Sequence, residues 1–234
     1  MTPIDPSTTL GELVADEPAR ATVFERLGFD YCCGGGRTLA EAAAERGLDP
    51  ATVAAMLEAV SSLPAEDGQA RDWREATVGE LCDHIVEVHH AALRRDLPRI
   101  AELARKVERV HGSAEPELAE VRRHVDALRA ELAAHMASEE EELFPAIRAL
   151  AEGAGSAPSE DALAEHEAEH EQVGATLTRL RELTGGYDRD RARCGTHRVL
   201  LDSLQGLEVD LHRHIHEENN ILFPRARKLA AGVA

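Results

Sequence analysis

The chain has 234 residues, with 44 acidic against 26 basic side chains and a net charge of −18 at neutral pH. That balance argues against nucleic acid, whose phosphates need a basic face, and against an anionic membrane surface. Hydrophobic residues make up 43% and aromatics only 3%; with Ala, Leu, Glu and Arg dominant, the chain can bury a core and favours helix over sheet.

No run approaches the length of a membrane span. The opening residues, Met1 to Pro6, have neither the basic nor the apolar region of a secretory signal, so none is expected. Four cysteines in this length are not a disulfide scaffold. Cys32 and Cys33 are neighbours, and bridging neighbours strains the backbone, so a reducing cytoplasm is expected.

Residues 1–62 read as a small helical domain. Helical composition runs over Leu10 to Val14, Ala19 to Leu27 and Leu39 to Arg46. Asp49-Pro50 starts a further helix over 51–60, with Asp as N-cap and Pro at the first helical position. Between them lies Asp30-Tyr-Cys-Cys-Gly-Gly-Gly-Arg37, a tight glycine-rich turn. Residues 63–75 read as a linker.

Residues 76–230 carry four long helical patterns, roughly 76–110, 116–151, 159–184 and 190–230. The short breaks around Gly112, Gly153 and Gly185 predict an all-α, antiparallel four-helix bundle. Pro98, Pro145 and Pro224 fall within or late in these helices, and each is expected to remove a donor and kink its helix.

The bundle contains an internal repeat. His135-x3-Glu139-x3-Leu-Phe-Pro145 recurs 79 residues later as His214-x3-Glu218-x3-Leu-Phe-Pro224, and His90 and His170 are offset by 80. At helical spacing these polar residues fall inside the apolar stripes. One stripe runs Val121, Val125, Leu128, Leu132, His135, Glu139, Leu143 and Ala146; another runs Leu200, Leu204, Leu207, Leu211, His214, Glu218 and Leu222. The third helix contributes Leu163, His166, His170, Val173, Leu177 and Leu180, and the first Val86, His90, Leu93, Leu97 and Ile100.

A carboxylate buried in such a stripe needs a partner charge, and a pair of metal ions supplies it. His90, His135, His170, His214, Glu139 and Glu218 are too many ligands for one tetrahedral ion. They suit two ions bridged by the two carboxylates. Imidazole with carboxylate and no thiolate favours iron or manganese over structural zinc.

A competing set uses Glu87-x-x-His90 and Glu167-x-x-His170 with Glu139 and Glu218. Glu87 and Glu167 lie at the margins of their stripes, whereas His135 and His214 lie within theirs, which favours the His-rich set. His166, one turn before His170, is either a seventh ligand or a donor behind one. A lone His on an apolar face is usually a satisfied core residue, and His84, His89, His111, His124, His197, His212 and His216 fit that reading, as solvated, loop or supporting side chains.

These residues resemble the haemerythrin-like family, and within it the iron–sulfur cluster repair di-iron proteins, also called repair-of-iron-centres proteins. In the N-terminal domain the resemblance rests on Leu10-Gly-Glu-Leu13, Asp30-Tyr-Cys-Cys-Gly-Gly35 and Thr38-Leu-Ala40, and at the hinge on Asp72-Trp-Arg74. In the bundle it rests on Asp83-His-Ile85, Lys106 to His111, His135-x3-Glu-Glu140, Glu169-His-Glu171 and His214 to Ala226.

The resemblance implies two non-haem irons held terminally by His90, His135, His170 and His214. Glu139 and Glu218 would bridge them with an oxo or hydroxo group. It implies repair of iron–sulfur clusters damaged by oxidative or nitrosative stress through donation of iron, with apo or damaged iron–sulfur proteins as partners. The alternative is a centre that binds O2 or NO, or reduces NO. The thiols of Cys32 and Cys33 either contact iron or an acceptor protein, relay electrons, or belong to a structural turn. Cys82 and Cys194 are solitary and read as structural. A second apolar row on the first bundle helix, Leu81, Ile85, Val88 and Ala92, packs on the N-terminal domain or on a second subunit, so monomer and homodimer both remain open.

Overall fold

The computed structural model describes residues 3–61 and 72–232, so most of the linker expected at 63–75 lies outside the described residues. The fold is all-α: among the described residues the only β pairing is an isolated bridge between Thr9 and Thr38. The chain divides into two compact units, Met1–Cys82 with His212–Ala234, and Asp83–Leu211.

The first unit opens with α1 (Leu10–Asp16), α2 (Ala21–Leu27), α3 (Leu39–Glu45) and α4 (Pro50–Ser61). The first and third helices start on the same device. Thr9 and Thr38 each cap the backbone three residues on, and Glu12 and Glu41 reach back to the cap nitrogens. Each such box satisfies two donors that a helix start leaves open. Asp49 accepts from the N–H of Thr52, the N-cap expected there. Leu10, Leu13, Phe24, Tyr31, Leu39, Val53 and Leu57 form the core of these helices. Each fully buried side chain of this size contributes about 1.5–3 kcal/mol. Gly28 closes α2 in the left-handed region, at φ 70°, where a side chain is strained.

The second unit is built on α6 (Ala91–His111), α7 (Glu117–Ser138), α9 (Glu160–Leu183) and most of α10 (Gly195–Glu217). Val121, Val125, Leu128 and Leu132 of α7 are buried, as are Leu163, Val173, Leu177 and Leu180 of α9. Ion pairs lace the outside, such as Arg122 to Glu108 at 2.6 Å and Arg179 to Glu120 at 3.1 Å. One pair is buried on its acid side: Glu208, 4% exposed, accepts from Arg181 at 3.0 Å.

Three of the four long helices are interrupted by a π turn. Ile85–His90 separates α5 (Val78–His84) from α6, Glu139–Leu143 separates α7 from α8 (Phe144–Ala151), and Glu218–Leu222 separates α10 from α11 (Phe223–Ala230). Such a turn inserts one extra residue and shifts the buried face. Two expectations are corrected by it. Ile147 rather than Ala146 continues the buried stripe after Glu139, and Ile85 with His89 replaces Val86 before His90. Pro145 and Pro224 stand at the start of α8 and α11. There the preceding π turn takes up the break in the hydrogen-bond ladder that proline imposes. Pro98 lies inside α6.

The last helix begins later than the expected 190. Arg189–Arg191 form a 3-10 turn and Ala192 is extended at φ −68°, ψ 124°, so α10 starts at Gly195. The Cys194 thiol accepts the His197 N–H there at 3.4 Å. No helix among the described residues is long and apolar enough to cross a membrane.

Candidate metal centre

In the second unit, four of the expected ligands converge. Glu139 and His90 are wholly buried, and His170 and His135 are 1% and 6% exposed. His90 Nε2 lies 3.3 Å from Glu139 Oε2, and His135 Nε2 lies 3.2 Å from Glu139 Oε1. His170 Nε2 lies 3.1 Å from His135 Nε2. Donor atoms of His135, Glu139 and His170 all fall within 4.8 Å of one another. His166 is buried beside them, its Nδ1 3.8 Å from Glu139 Oε1 and 3.7 Å from Glu169 Oε2. Its ring meets that of His135 edge-on at 5.1 Å.

The far nitrogens decide which atoms face the centre. His90 Nδ1 lies 2.6 Å from Glu140, and His135 Nδ1 lies 2.6 Å from Glu169. Each Nδ1–H therefore donates outward to a carboxylate, which turns the Nε2 lone pair inward, the arrangement found behind metal-binding imidazoles. A second carboxylate is steadied in turn: Arg94 donates to Glu140 at 2.8 Å. Burial raises the Glu140 pKa, but the hydrogen bonds from Arg94 and His90 outweigh that, and the carboxyl titrates below its usual range.

This donor set fits a metal cation. Inward lone pairs of two imidazoles face a fully buried carboxylate, and without a cation lone pair and anion repel in a low-dielectric setting. Phe144 stacks on His90, with ring centroids 5.9 Å apart, and closes that flank with apolar surface.

In the first unit, His214 and Glu218 repeat the motif. Both are buried, and His214 Nε2 lies 3.1 Å from Glu218 Oε1. Their π turn also holds the glycine-rich turn. Asn220 Nδ2 donates to the Cys32 carbonyl at 2.9 Å and to the Tyr31 carbonyl at 3.4 Å. His216 Nδ1 reaches the same Tyr31 carbonyl at 3.4 Å, and burial pushes its pKa down to about 4. Gly11 and Gly35 make this approach possible, since a Cβ on either would collide with the Asn220 side-chain oxygen.

Comparison with known proteins is consistent with this geometry. The model of the haemerythrin HHE cation-binding domain matches residues 81–226, and a domain of unknown function, DUF542, matches 6–61. The iron–sulfur cluster repair protein YtfE of Escherichia coli O157:H7 is 36% identical over 217 residues, covering 93% of this chain and 95% of the relative. The chain belongs to the family of iron–sulfur cluster repair proteins with a haemerythrin domain. The protein of the same name from Escherichia fergusonii is equally similar, 36% identical over the same share of each chain. The haemerythrin model is described as cation-binding, in keeping with the His and Glu clusters of this member of the family.

Of the competing carboxylates, Glu87 is exposed and Glu167 half-buried. His89, His197 and His216, expected among the background histidines, are buried; His89 is bound by Asp210 at 2.9 Å. Sequence reasoning did not assign roles to Glu140, Glu169, Arg94 or Asn220. For the two carboxylates a signal existed: Glu140 directly follows Glu139, and Glu169 directly precedes His170. Nothing in the pattern marked Arg94 or Asn220.

Proposed function

We propose that this chain is a non-haem di-iron protein that repairs damaged iron–sulfur clusters in the cytoplasm by giving up iron to apo or damaged iron–sulfur proteins. Its ligands are His90, His135, His170 and His214, with Glu139 and Glu218 shared between two irons. One observation carries this reading: buried Glu139 is faced by the inward Nε2 atoms of His90 and His135, each with its other nitrogen held by an outer carboxylate. The in-register recurrence of His135 and Glu139 as His214 and Glu218 supports a second half with the same chemistry. The name of these relatives, iron–sulfur cluster repair protein, supports cluster repair.

Iron bound there supplies the positive charge that the buried carboxylates require, and it is also the cargo. The protein's part is to keep Nδ1 of His90 and His135 protonated through Glu140 and Glu169, and to keep water from the flank covered by Phe144. A shell of imidazole and carboxylate without thiolate holds ferrous iron less tightly than thiolates hold soft metals, which suits a donor. The test is iron analysis followed by anaerobic transfer to an apo iron–sulfur protein. About two irons per chain, lost in step with cluster formation on the acceptor, are expected. Full cluster assembly with no loss of iron from this chain would overturn the donor reading. Repeated turnover of NO to N2O and water by the diferrous protein, with an added one-electron reductant and solvent protons, would replace it with the reductase.

A further inference from the structure

The glycine-rich turn is more ordered than a loop of this composition requires. Asp30 Oδ1 accepts the backbone N–H of Cys32 at 3.2 Å and that of Cys33 at 3.0 Å. The same oxygen lies 3.3 Å from the Cys32 sulfur, and the two sulfurs lie 3.9 Å apart. Both are thiols. One atom from each of Asp30, Cys32 and Cys33 falls within a common 4.8 Å sphere of mutual distances. Cys32 is buried, Cys33 is half-buried and Asp30 is exposed, so the cluster opens on one side.

These separations match a chelate. Two sulfurs bound to one tetrahedral cation at ~2.3 Å stand about 3.8 Å apart, and a sulfur and a carboxylate oxygen at ~2.1 Å stand about 3.6 Å apart. The sulfur–sulfur separation already has that value, and the oxygen–sulfur edge is short by a few tenths of an ångström. Little rearrangement is needed, because the turn is pinned from outside: Asn220 holds the Cys32 carbonyl, and Arg37 N–H closes the loop onto Gly34 O at 3.1 Å. Gly34 must lack a side chain, since a Cβ there would press on the Asp30 carbonyl at 2.9 Å and its carboxylate at 3.0 Å.

We propose that Asp30, Cys32 and Cys33 form a second cation site in this chain, a three-donor S2O chelate with one coordination position open to solvent or to an acceptor's ligand. Its cargo is a thiophilic divalent ion, ferrous iron in the repair reaction. Binding forms two metal–thiolate bonds and one metal–carboxylate bond and releases the two thiol protons to solvent; no electron moves. The open position is what separates a transfer site from a closed structural one. Asn220 belongs to the π turn that begins at Glu218, so a cation seated on the turn pulls on the backbone that presents an iron ligand. The existence of the chelate stands on its own residues; its use as a way station for iron rests on the donor reading above.

The experiment is anaerobic titration with Co(II) of the full chain, loaded with about two irons and washed free of any further metal, read by absorbance. One further equivalent of Co(II), with intense thiolate-to-cobalt charge-transfer bands in the near ultraviolet, is expected. C33S should abolish those bands while keeping about two irons per chain at the His and Glu residues, and D30N should weaken binding roughly ten-fold or more, at least what loss of an outer partner costs. C194S should leave them intact. Thiolate bands that persist in C33S, or Co(II) binding with no thiolate bands, would overturn the site. Should C33S fold poorly, mild alkylation of the wild-type thiols before titration gives the same reading. Iron analysis on each sample keeps the two proposals apart: thiolate bands in a protein without two irons would sink the di-iron reading and leave the chelate standing.

Discussion

The two copies of the repeat share a scaffold and differ in what they fasten. In each, an α-helix delivers His and then Glu, a π turn begins at the Glu, and Phe-Pro opens the next α segment. After the carboxylate the sequences diverge, Glu140-Glu-Glu142 in one copy against Asn219-Asn-Ile221 in the other. Glu140 turns to His90 and Arg94 and steadies the His90 ring. Asn220 turns to the Cys32 carbonyl and steadies the thiol turn. One copy thus directs its π-turn residues to the buried His90, and the other to the glycine-rich turn. A shared backbone device fixes where the buried carboxylate stands, and the residues after it decide what the turn is wired to.

The largest break in the comparison comes from the shared element. Glu139→Leu and Glu218→Leu each remove a buried carboxylate, and iron should fall from about two per chain to less than one. Apo-protein stability should hold or rise, because Leu needs no partner charge. Iron content with a thermal melt checks both halves, and unchanged iron in the double variant would falsify the assignment. Next comes the divergent residue of the first copy. Glu140→Gln lets the amide replace an acceptor that fixed the His90 tautomer, and iron affinity should weaken about 10–100-fold. A chelator competition measures it; the same substitution at Glu141, exposed on the same turn, should do nothing.

The helices, the loops between them and the buried His and Glu positions were legible because helical periodicity puts residues three and four apart on one face. The stripe of α9 follows that rule without exception from Leu163 to Leu180. The rule breaks where the backbone departs from 3.6 residues per turn. Ala146 and Val86 were placed on the buried face, and a π turn moved Ile147 and Ile85 there instead. No residue type marks a π turn, since its stability lies in the contacts it allows and not in local propensity. Outer partners were hidden for a related reason. Glu140 and Arg94 meet only after two helices pack, and Asn220 reaches Cys32 across 188 positions of sequence.

The second copy makes a smaller prediction with a built-in control. Asn220→Ala removes two hydrogen bonds to the thiol turn and should cost ~1–2 kcal/mol. Gly11→Ala should cost ~1–3 kcal/mol by overpacking, since its new Cβ meets the Asn220 side chain. The pair should be less damaging together than the sum of the singles, because removing the Asn220 amide clears most of the collision. Gly35→Ala should not be rescued in this way: its Cβ would also stand 2.7 Å from the Tyr31 carbonyl, which Asn220→Ala leaves in place. Denaturant unfolding of the three single and two double variants tests the coupling, and strict additivity of Gly11 with Asn220 would deny the contact.

The smallest effect lies where the helices of the two copies begin. α7 starts directly after Pro116, while α10 starts behind a 3-10 turn and brings His197 into the interior, its Nδ1 accepting the Arg193 N–H at 3.3 Å. Burial holds the His197 pKa below its usual 6.5, with Arg193 and His111 adding to that and Glu115 opposing it. The folded state therefore binds fewer protons at this residue than the unfolded chain as pH falls through 6.5. Its stability is complete above that pH and declines below it, until the folded ring itself protonates. A His197→Gln variant, which keeps an acceptor for Arg193 but cannot titrate, should lose less melting temperature between pH 7.5 and 5 than the wild type. Parallel melting curves across that range would place the ring in solvent and remove the difference between the two helix starts.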